Sequence, residues 1–397
     1  MSAALYLKKH EEKRLKGGHL WIYSNEIDSK RSPLKQFQPG QQVTVFSDAN
    51  KPLGNAYINP QTLISARLFS RDAEMWLDRS LLVHRLKVAL SLRERLFAKP
   101  FYRLIHGDSD NLPGLVVDRF ADYLVVQITT AGMEAVREAI IEALDKVIKP
   151  QAILFKNDVG VRQLEGLNQS VEVVMGEFPE QLELEENDTR FVVTPLTGQK
   201  TGWFYDHRMN RARMMEYVSG KRVLDLFSYV GGWGIQAARA GAEDVLCVDA
   251  SEGALEQMHA SASLNGLDEK VASLQGDVFE ALKALRADRE RFDVVILDPP
   301  AFIKRKKDMA KGEQAYERVN RMAMQVLNKD GILISASCSH HLHRDRLPEL
   351  MLKAARHVDR DMQLLEEGHQ GPDHPIHPAI PETRYIKSFT ARVLPVR

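Results

Sequence analysis

The second half of the chain carries the strongest constraint on the fold, an alternation of short apolar runs with amphipathic stretches. Five apolar runs after about residue 190 are predicted strands, at 222–228, 244–251, 271–277, 292–300 and 331–339. Residues 235–242 and 253–266, between the first three runs, repeat apolar positions at helical spacing. Strands that alternate with helices predict βαβ units and a parallel sheet. We therefore predict an α/β domain with a Rossmann-like sheet over residues 190–397.

The first 189 residues divide into two further predicted domains. Residues 1–72 contain short predicted strands at 43–46, 54–58 and 64–69 that are separated by turn residues, which is typical of a small β-barrel. Residues 73–189 are predicted to form a central α/β domain. Its predicted elements are helices at 74–97 and 134–148, a strand at 152–156, and a linker or hairpin in the acidic stretch 180–188.

Composition narrows the class of protein. No apolar run approaches the roughly 18 residues that a membrane span needs, and charge at the N-terminus interrupts any signal-peptide core. Only Cys247 and Cys338 are present, which excludes a disulfide framework, and no metal site is expected. A cytoplasmic location is therefore expected. The net charge is zero, but residues 1–70 hold ten Lys or Arg against five acids, an excess that attracts phosphates.

Polar residues cluster where the predicted strands end. Four acids each stand at a strand's carboxyl end: Asp225, Asp249, Asp277 and Asp298. Ligands of open α/β sheets bind at that edge, and the glycines that follow Asp225 let backbone approach a ligand closely. The loop is not a dehydrogenase loop, because Phe227 and Tyr229 stand where small residues are needed.

This series of acids resembles the class I S-adenosylmethionine-dependent methyltransferases, which implies S-adenosylmethionine as the cofactor; helix capping by the same acids is the alternative. The residues predicted to bind the cofactor are Asp225, Phe227, Ser228, Gly231, Gly232, Asp249, Asp277 and Asp298.

A cysteine after the fifth strand indicates the chemistry. Cytosine C5 attacks a methyl group only after a thiolate has added to C6, a form of covalent catalysis. Cys338 lies at the same sheet edge as the acids, so we predict that it is the nucleophile; a packed, unreactive cysteine is the alternative. Asp298 is predicted to bind the N3/N4 edge of the base. Cys247, inside an apolar run, is predicted to be a core residue, and the roles of His340 and His341 stay open.

Over nearly its whole length the chain resembles the bacterial large-subunit rRNA cytosine-C5 methyltransferase I family. The matching segments are 17–23, 106–114, 117–119, 198–204, 225–234, 298–302, 337–341 and 373–389. The resemblance implies an N-terminal PUA domain, a central α/β domain and a seven-stranded methyltransferase domain. It also implies methylation of one 23S rRNA cytosine, cytosine 1962, with Cys338 as the nucleophile. Other RNA cytosine-C5 methyltransferases carry a second cysteine where this chain has Ala301, so release of the product needs another group.

RNA contacts are predicted from cations and aromatic residues, because RNA is read mostly in unpaired segments by stacking and hydrogen bonds. The candidates are residues 8–16, Trp21, Tyr23 and Lys304–Lys307, while Lys200, Trp203 and Phe204 are candidates for the cofactor or base pocket. The expected partner is 23S rRNA or a large-subunit assembly intermediate, and a homodimer is left open.

Two other functions compete with this interpretation. One is methylation of an exocyclic amine such as guanine N2, which uses a similar DPP motif without a nucleophile. The other is a non-catalytic RNA-binding scaffold with an inactive Rossmann domain. Replacement of Cys338 separates the first of these from a C5 methyltransferase, and cofactor binding separates the second.

Overall fold

A computed structural model describes residues 3–396. The chain forms two compact units, each built from separate segments. Unit 1 comprises the chain up to Leu182 together with Thr194–Tyr205 and Pro372–Thr383. Unit 2 comprises Glu183–Val193, Asp206–Gly371 and the chain from Arg384 onward. The three domain ranges expected from the sequence stay a prediction.

The first sheet of unit 1 has five strands in the order β1-β3-β4-β5-β2. Its core is apolar and includes Leu5, Ile22 and Val43, which are fully buried. The strands predicted at 43–46, 54–58 and 64–69 are confirmed, whereas β1 and β2 had no clear sequence signal. The elements are β1 (Ala3–Tyr6), α1 (Glu12–Lys16), β2 (Trp21–Tyr23), β3 (Gln41–Phe46), β4 (Pro52–Ile58) and β5 (Ile64–Ser70).

The second sheet of unit 1 has the order β10-β9-β8-β7-β6, with two long helices packed together beside it. The helix predicted at 74–97 begins only at Arg79, because the Asp78 side chain caps it by accepting a hydrogen bond from the Leu81 amide at 2.9 Å. The elements are α2 (Arg79–Leu96), β6 (Phe101–His106), β7 (Leu115–Phe120), β8 (Tyr123–Ile128), α3 (Ala131–Glu134), α4 (Arg137–Ile148), β9 (Ala152–Lys156), α5 (Val161–Leu164) and β10 (Val171–Met175).

Charged residues of the family segments at 106–114, 117–119 and 373–389 form buried ion pairs in unit 1. Arg93, with no exposed surface, binds both carboxylate oxygens of Asp110 at 2.7 Å and donates to the Asp373 carbonyl at 2.8 Å. Arg103 binds both oxygens of Asp118 at 2.8 and 2.7 Å. Breaking one partner of such a pair leaves a buried charge uncompensated. Through the Asp373 carbonyl, Arg93 therefore ties the segment Pro372–Thr383 to α2 within unit 1.

Unit 2 contains a seven-stranded sheet of order β15-β14-β13-β16-β17-β19-β18. The strands from β15 to β17 are parallel, and β19 is antiparallel to both of its neighbours. The predicted seven-stranded Rossmann-like fold is confirmed, and the acidic stretch forms the hairpin of β11 and β12. The strands are β11 (Leu182–Glu186), β12 (Thr189–Val193), β13 (Arg222–Leu226), β14 (Asp244–Asp249), β15 (Val271–Gln275), β16 (Phe292–Leu297), β17 (Leu327–Ser337), β18 (Arg360–Gly368) and β19 (Lys387–Pro395).

Helices complete unit 2 and bury an apolar core against the sheet. Cys247 lies in β14 with no exposed surface, as predicted, and burial raises the pKa of its thiol well above the usual value. None of the helices within residues 3–396 is both long and apolar enough to cross a membrane. The helices are α6 (Arg208–Met214), α7 (Gly234–Arg239), α8 (Glu252–Leu264), α9 (Val278–Ala287), α10 (Met309–Val326) and α11 (Arg346–Arg356).

Candidate active site

The strand order reverses between β13 and β16, and this is where the candidate site lies. From β13 the chain proceeds outward through β14 and β15, then returns to place β16 on the other side of β13. Ligands of open α/β sheets bind at the carboxyl ends of the strands beside such a reversal. Asp225 is in β13 and Asp298 directly follows β16. The register of β16 with β17, Leu297 opposite Ser335, brings the end of β17 to the same edge.

Asp225 anchors the loop that leaves β13. It is fully buried, and its Oδ2 accepts a hydrogen bond from the Gly234 amide at 2.8 Å, at the start of α7. Burial is the main cause that raises the pKa of Asp225 to about 8; the Gly234 amide opposes this shift, and the negative charges of Asp298 and Asp249 contribute to it. Asp225 therefore holds the loop against the helix, and its carboxyl group carries a proton at neutral pH.

The loop itself is strained and tightly packed. Phe227 and Tyr229 have positive φ angles of 62° and 49°, a conformation that side chains rarely adopt. Gly231 has a φ of 77°, and a Cβ there would lie 2.4 Å from Met258 Cγ. The Tyr229 amide donates to Asp249 Oδ2 at 2.9 Å, which ties the loop to the end of β14. Strain of this kind persists only where the surroundings impose it, and it is common at ligand sites.

The acids at the next two strand ends also accept hydrogen bonds from backbone amides. Asp249 Oδ1 accepts from the Ser251 amide at 2.9 Å. Asp277 is exposed and caps α9, because its Oδ1 accepts from the Phe279 and Glu280 amides at 2.9 and 3.2 Å. The capping alternative considered from the sequence thus applies to Asp277, and one carboxylate oxygen of that residue remains outside the cap.

Asp298 is positioned by two side chains that the sequence patterns did not single out. The Trp233 indole donates to Asp298 Oδ2 at 3.0 Å, and His207 Nε2 lies 3.4 Å from Oδ1. His207 is buried, and its Nδ1 lies 3.0 Å from Nδ2, the side-chain amide nitrogen of Asn210. The indole therefore fixes Oδ2 by a hydrogen bond, whereas His207 lies close to Oδ1 without one.

Cys338 lies on a short loop between two buried serines. Ser337 Oγ donates to the Tyr316 hydroxyl at 2.8 Å, and that hydroxyl lies 2.9 Å from Ser339 Oγ. The Ile303 amide donates to Ser339 Oγ at 3.2 Å, which joins the cysteine loop to the loop that follows Asp298. Cys338 itself is partly exposed and is not in a disulfide. Its surroundings are thus polar and fixed, in contrast to those of Cys247.

Comparison with known proteins identifies the family. The sequence model of S-adenosylmethionine-dependent methyltransferases matches residues 110–381, and that of PUA-like domains matches residues 5–71. A protein of Erwinia tasmaniensis named ribosomal RNA large subunit methyltransferase I is 36% identical over 399 residues, which cover 99% of this chain and 100% of the relative. A protein of the same name from Aeromonas salmonicida is 37% identical over 398 residues with the same coverage. The chain belongs to the ribosomal RNA large subunit methyltransferase I family.

Solved structures agree on the fold of this methyltransferase. A structure described as a methyltransferase complexed with S-adenosylhomocysteine has a TM-score of 0.84 at 24% identity, covering 98% of this chain and 100% of that chain. A tRNA m1G37 methyltransferase of M. jannaschii has a TM-score of 0.53 at 17% identity, covering 79% of each chain. These likenesses support the fold alone.

S-adenosylmethionine is the cofactor of the methyltransferase, and the residues at the end of β13 fit it. Asp225 Oδ1 and Ser228 Oγ are buried and make no hydrogen bond to any residue that the structure describes. Buried polar atoms without partners are rare and suit the hydrogen-bonding groups of a polar ligand. Gly231 and Gly232 are buried beside them, and no side chain can replace the first without a clash.

The remaining candidates of the methyltransferase differ in exposure. His340, His341 and the run Lys304–Lys307 are exposed in unit 2, and the His340 ring lies 5.6 Å from that of Tyr385. In unit 1, Lys200 is exposed and lies 4.6 Å from the Phe204 ring centroid.

The aromatic candidates of unit 1 have internal partners. Trp203 is buried, which favours packing over ligand contact. The Trp21 indole donates to Asp108 at 2.7 Å, and the Arg14 guanidinium lies 4.7 Å from the Tyr23 ring centroid.

Proposed function

We propose that this methyltransferase forms 5-methylcytosine in 23S rRNA, with Cys338 as the nucleophile and Asp298 as the residue that binds the base. The observation that carries the proposal is the pair of hydrogen-bonded loops at one sheet edge, one bearing Cys338 and the other Asp298. The names of the full-length relatives support rRNA of the large subunit as the substrate. By family resemblance, the target is cytosine 1962.

The reaction begins with the cysteine. The Cys338 thiolate adds to C6 of the cytosine, the S–C6 bond forms, and the electron pair of the C5–C6 double bond shifts through C5 and C4 towards N3. Asp298, held at Oδ2 by the Trp233 indole and lying beside His207, donates a proton to N3 and so neutralises the negative charge that develops there. N3 gives this proton up again when the ring is restored. C5 becomes nucleophilic as a result.

Methyl transfer and release follow at the same edge. When bound, S-adenosylmethionine supplies an electrophilic methyl group. C5 would attack that methyl group, with S-adenosylhomocysteine as the leaving group. A base would then remove the C5 proton, and the electrons of that C–H bond would restore the C5–C6 double bond as the thiolate leaves C6. With Ala301 in place of a second cysteine, the candidates for this base are Asp298 and the exposed His340.

The cofactor contacts are assigned to the loop after β13 and to the strand ends beside it. Asp225, Phe227, Ser228, Gly231 and Gly232 would hold the amino-acid part. Asp249 would bind ribose hydroxyls. Asp277 would use the oxygen that does not cap α9 to meet the adenine amino group.

Access to the base requires that the target cytosine be unpaired or turned out of its helix. The exposed cations Lys304–Lys307 follow the Asp298 loop directly and suit phosphate contacts. The charge excess in the first 70 residues suits further, sequence-independent contacts.

The experiment is methylation of a 23S rRNA fragment with labelled cofactor, followed by nucleoside mass spectrometry. The proposal predicts 5-methylcytidine from the wild type. It also predicts a loss of at least about 1,000-fold in rate for Cys338→Ala, because the nucleophile has no substitute.

Calorimetry on Cys338→Ala is the matched control, since cofactor affinity should stay near the wild-type value. An N2-methylguanosine product, with Cys338→Ala still active, would replace this proposal by amine methylation. No product and no cofactor binding by the wild type would favour the RNA-binding scaffold.

A further inference from the structure

A buried lysine lies beside the candidate nucleophile. Lys387 begins β19 and stands opposite Ser337, the last residue of β17, in the antiparallel register of the two strands. Only 4% of Lys387 is exposed. Its Nζ donates to the Ser339 carbonyl at 2.5 Å, so the ammonium group is held one residue from Cys338. Lysine is among the residues least often buried unless it is paired, so this placement calls for a partner.

Several groups face Lys387 from the neighbouring elements. Burial lowers the pKa of Lys387 to about 8, the negative charge of a Cys338 thiolate opposes that shift, and Arg344 adds to it. Arg344 is itself paired with Glu367 of β18. The phenol of Tyr316, on α10, also senses the charge of Cys338, although burial is the main cause of the raised pKa of Tyr316. Lys387 therefore lies where a negative charge on Cys338 would favour its protonated form.

We propose that Lys387 is the positioning residue of the nucleophile, and that its ammonium group, fixed by the Ser339 carbonyl, holds Cys338 as a thiolate ready for attack. The proposal rests on Cys338 being the nucleophile of the proposed function. A lysine beside a thiol favours the thiolate, which is the form that reacts. The same contact orients the loop, because the carbonyl that accepts from Nζ belongs to the residue after Cys338.

The charge and the hydrogen bond of Lys387 can be separated by substitution. Lys387→Arg keeps the charge and a donor. Lys387→Gln keeps a donor on a chain one atom shorter but removes the charge, and Lys387→Met removes both. Lys283→Met is the matched control, since Lys283 is an exposed lysine of α9 paired with Glu280.

The test is alkylation of Cys338 by iodoacetamide across pH 5–10, followed by peptide mass spectrometry, with neither RNA nor cofactor present. The proposal predicts that half-maximal alkylation in Lys387→Gln and Lys387→Met moves upward by about one pH unit or more, the shift that a lost neighbouring charge produces. Alkylation at pH 7 should slow by about 10-fold in both. Lys387→Arg and Lys283→Met should stay near the wild type.

Each other outcome overturns the proposal. If Lys387→Gln matches the wild type, the lysine acts only through its hydrogen bond. If the uncharged variants do not fold, the pH of half-maximal alkylation of the wild type tests the proposal instead. A value at or above about pH 8.5, which is that of an ordinary thiol, contradicts a stabilised thiolate. This readout needs no methylation, so a failure of the proposed function, seen as another product nucleoside, is distinguishable from a failure here.

Discussion

Tyr316→Phe removes one hydroxyl group, which hydrogen bonds with the cysteine loop. Tyr316 is fully buried on α10, and its hydroxyl hydrogen bonds with both Ser337 and Ser339, on either side of Cys338. Loss of the hydroxyl leaves Ser337 Oγ without the buried acceptor of its proton. Leaving a buried hydroxyl in that state costs about 1–3 kcal/mol. For a unit of roughly 200 residues, 2 kcal/mol lowers the Tm by about 4–8 °C.

The same substitution should affect the reaction more than cofactor binding. A cysteine loop that loses one anchor no longer holds the sulfur in its attacking position, so we expect kcat to fall by on the order of 10-fold, within the range that small misplacements produce. The affinity for S-adenosylmethionine should stay near the wild-type value, because the Tyr316 hydroxyl hydrogen bonds with Ser337 and Ser339 of the cysteine loop and so anchors that loop.

The assays are thermal unfolding with and without cofactor, single-turnover methylation, and calorimetry. Tyr217→Phe is the matched control, since it removes a partly exposed phenol that donates to Glu366 at 2.5 Å. If Tyr316→Phe is as stable and as active as Tyr217→Phe, the hydroxyl network does not position Cys338.

Three further predictions concern the cofactor loop and the buried ion pairs. Gly231→Ala should weaken cofactor binding by at least about 10-fold in calorimetry, through a positive φ and a clash, whereas Gly253→Ala, where a Cβ meets nothing within 4 Å, should bind normally. The pKa of Asp225 is about 8 when folded and lower when unfolded, so unfolding releases its proton; the unfolding free energy should therefore fall as pH rises from 5 to 8. Asp225→Asn should flatten that fall in urea titrations, and an unchanged slope would refute the raised pKa. Arg93→Met should destabilise unit 1 by about 3–5 kcal/mol, because it leaves Asp110 buried without its partner; a loss below about 1 kcal/mol would contradict this.

Much of the fold of unit 2 was predictable from local pattern. The runs that became β13, β14 and β16 are short, apolar and bounded by turn residues, and parallel strands buried on both faces have that character. Since parallel strands share a carboxyl edge, the position of Asp225 and Asp298 at one edge followed from the same pattern. The first residues of the helices were harder to predict. Because Asp78 is the N-cap of α2, the helix begins five residues after the predicted first residue.

The parts of the site that pattern did not predict come from distant segments. Lys387 reaches Ser339 only because β19 pairs antiparallel with β17, and β19 shows no acid or glycine motif that marks its register. Tyr316 and His207 belong to no motif in the sequence. Only the tertiary structure shows that Tyr316 contacts Ser337 and that His207 lies beside Asp298. The Asp277 side chain caps α9 through Oδ1, and the ligand contact predicted from its position stays a prediction.

Trapping the covalent adduct tests the central chemistry most directly. A 23S rRNA fragment carrying 5-fluorocytidine at the target position is incubated with enzyme and S-adenosylmethionine, and the protein is then digested and sequenced by mass spectrometry. Fluorine at C5 cannot leave as a proton, so attack at C6 should produce a stable, methylated protein–RNA adduct on the peptide that contains Cys338, and none with Cys338→Ala. An adduct on another residue, or methylation of the control RNA with no adduct on the fluorinated one, would contradict attack by Cys338 on cytosine.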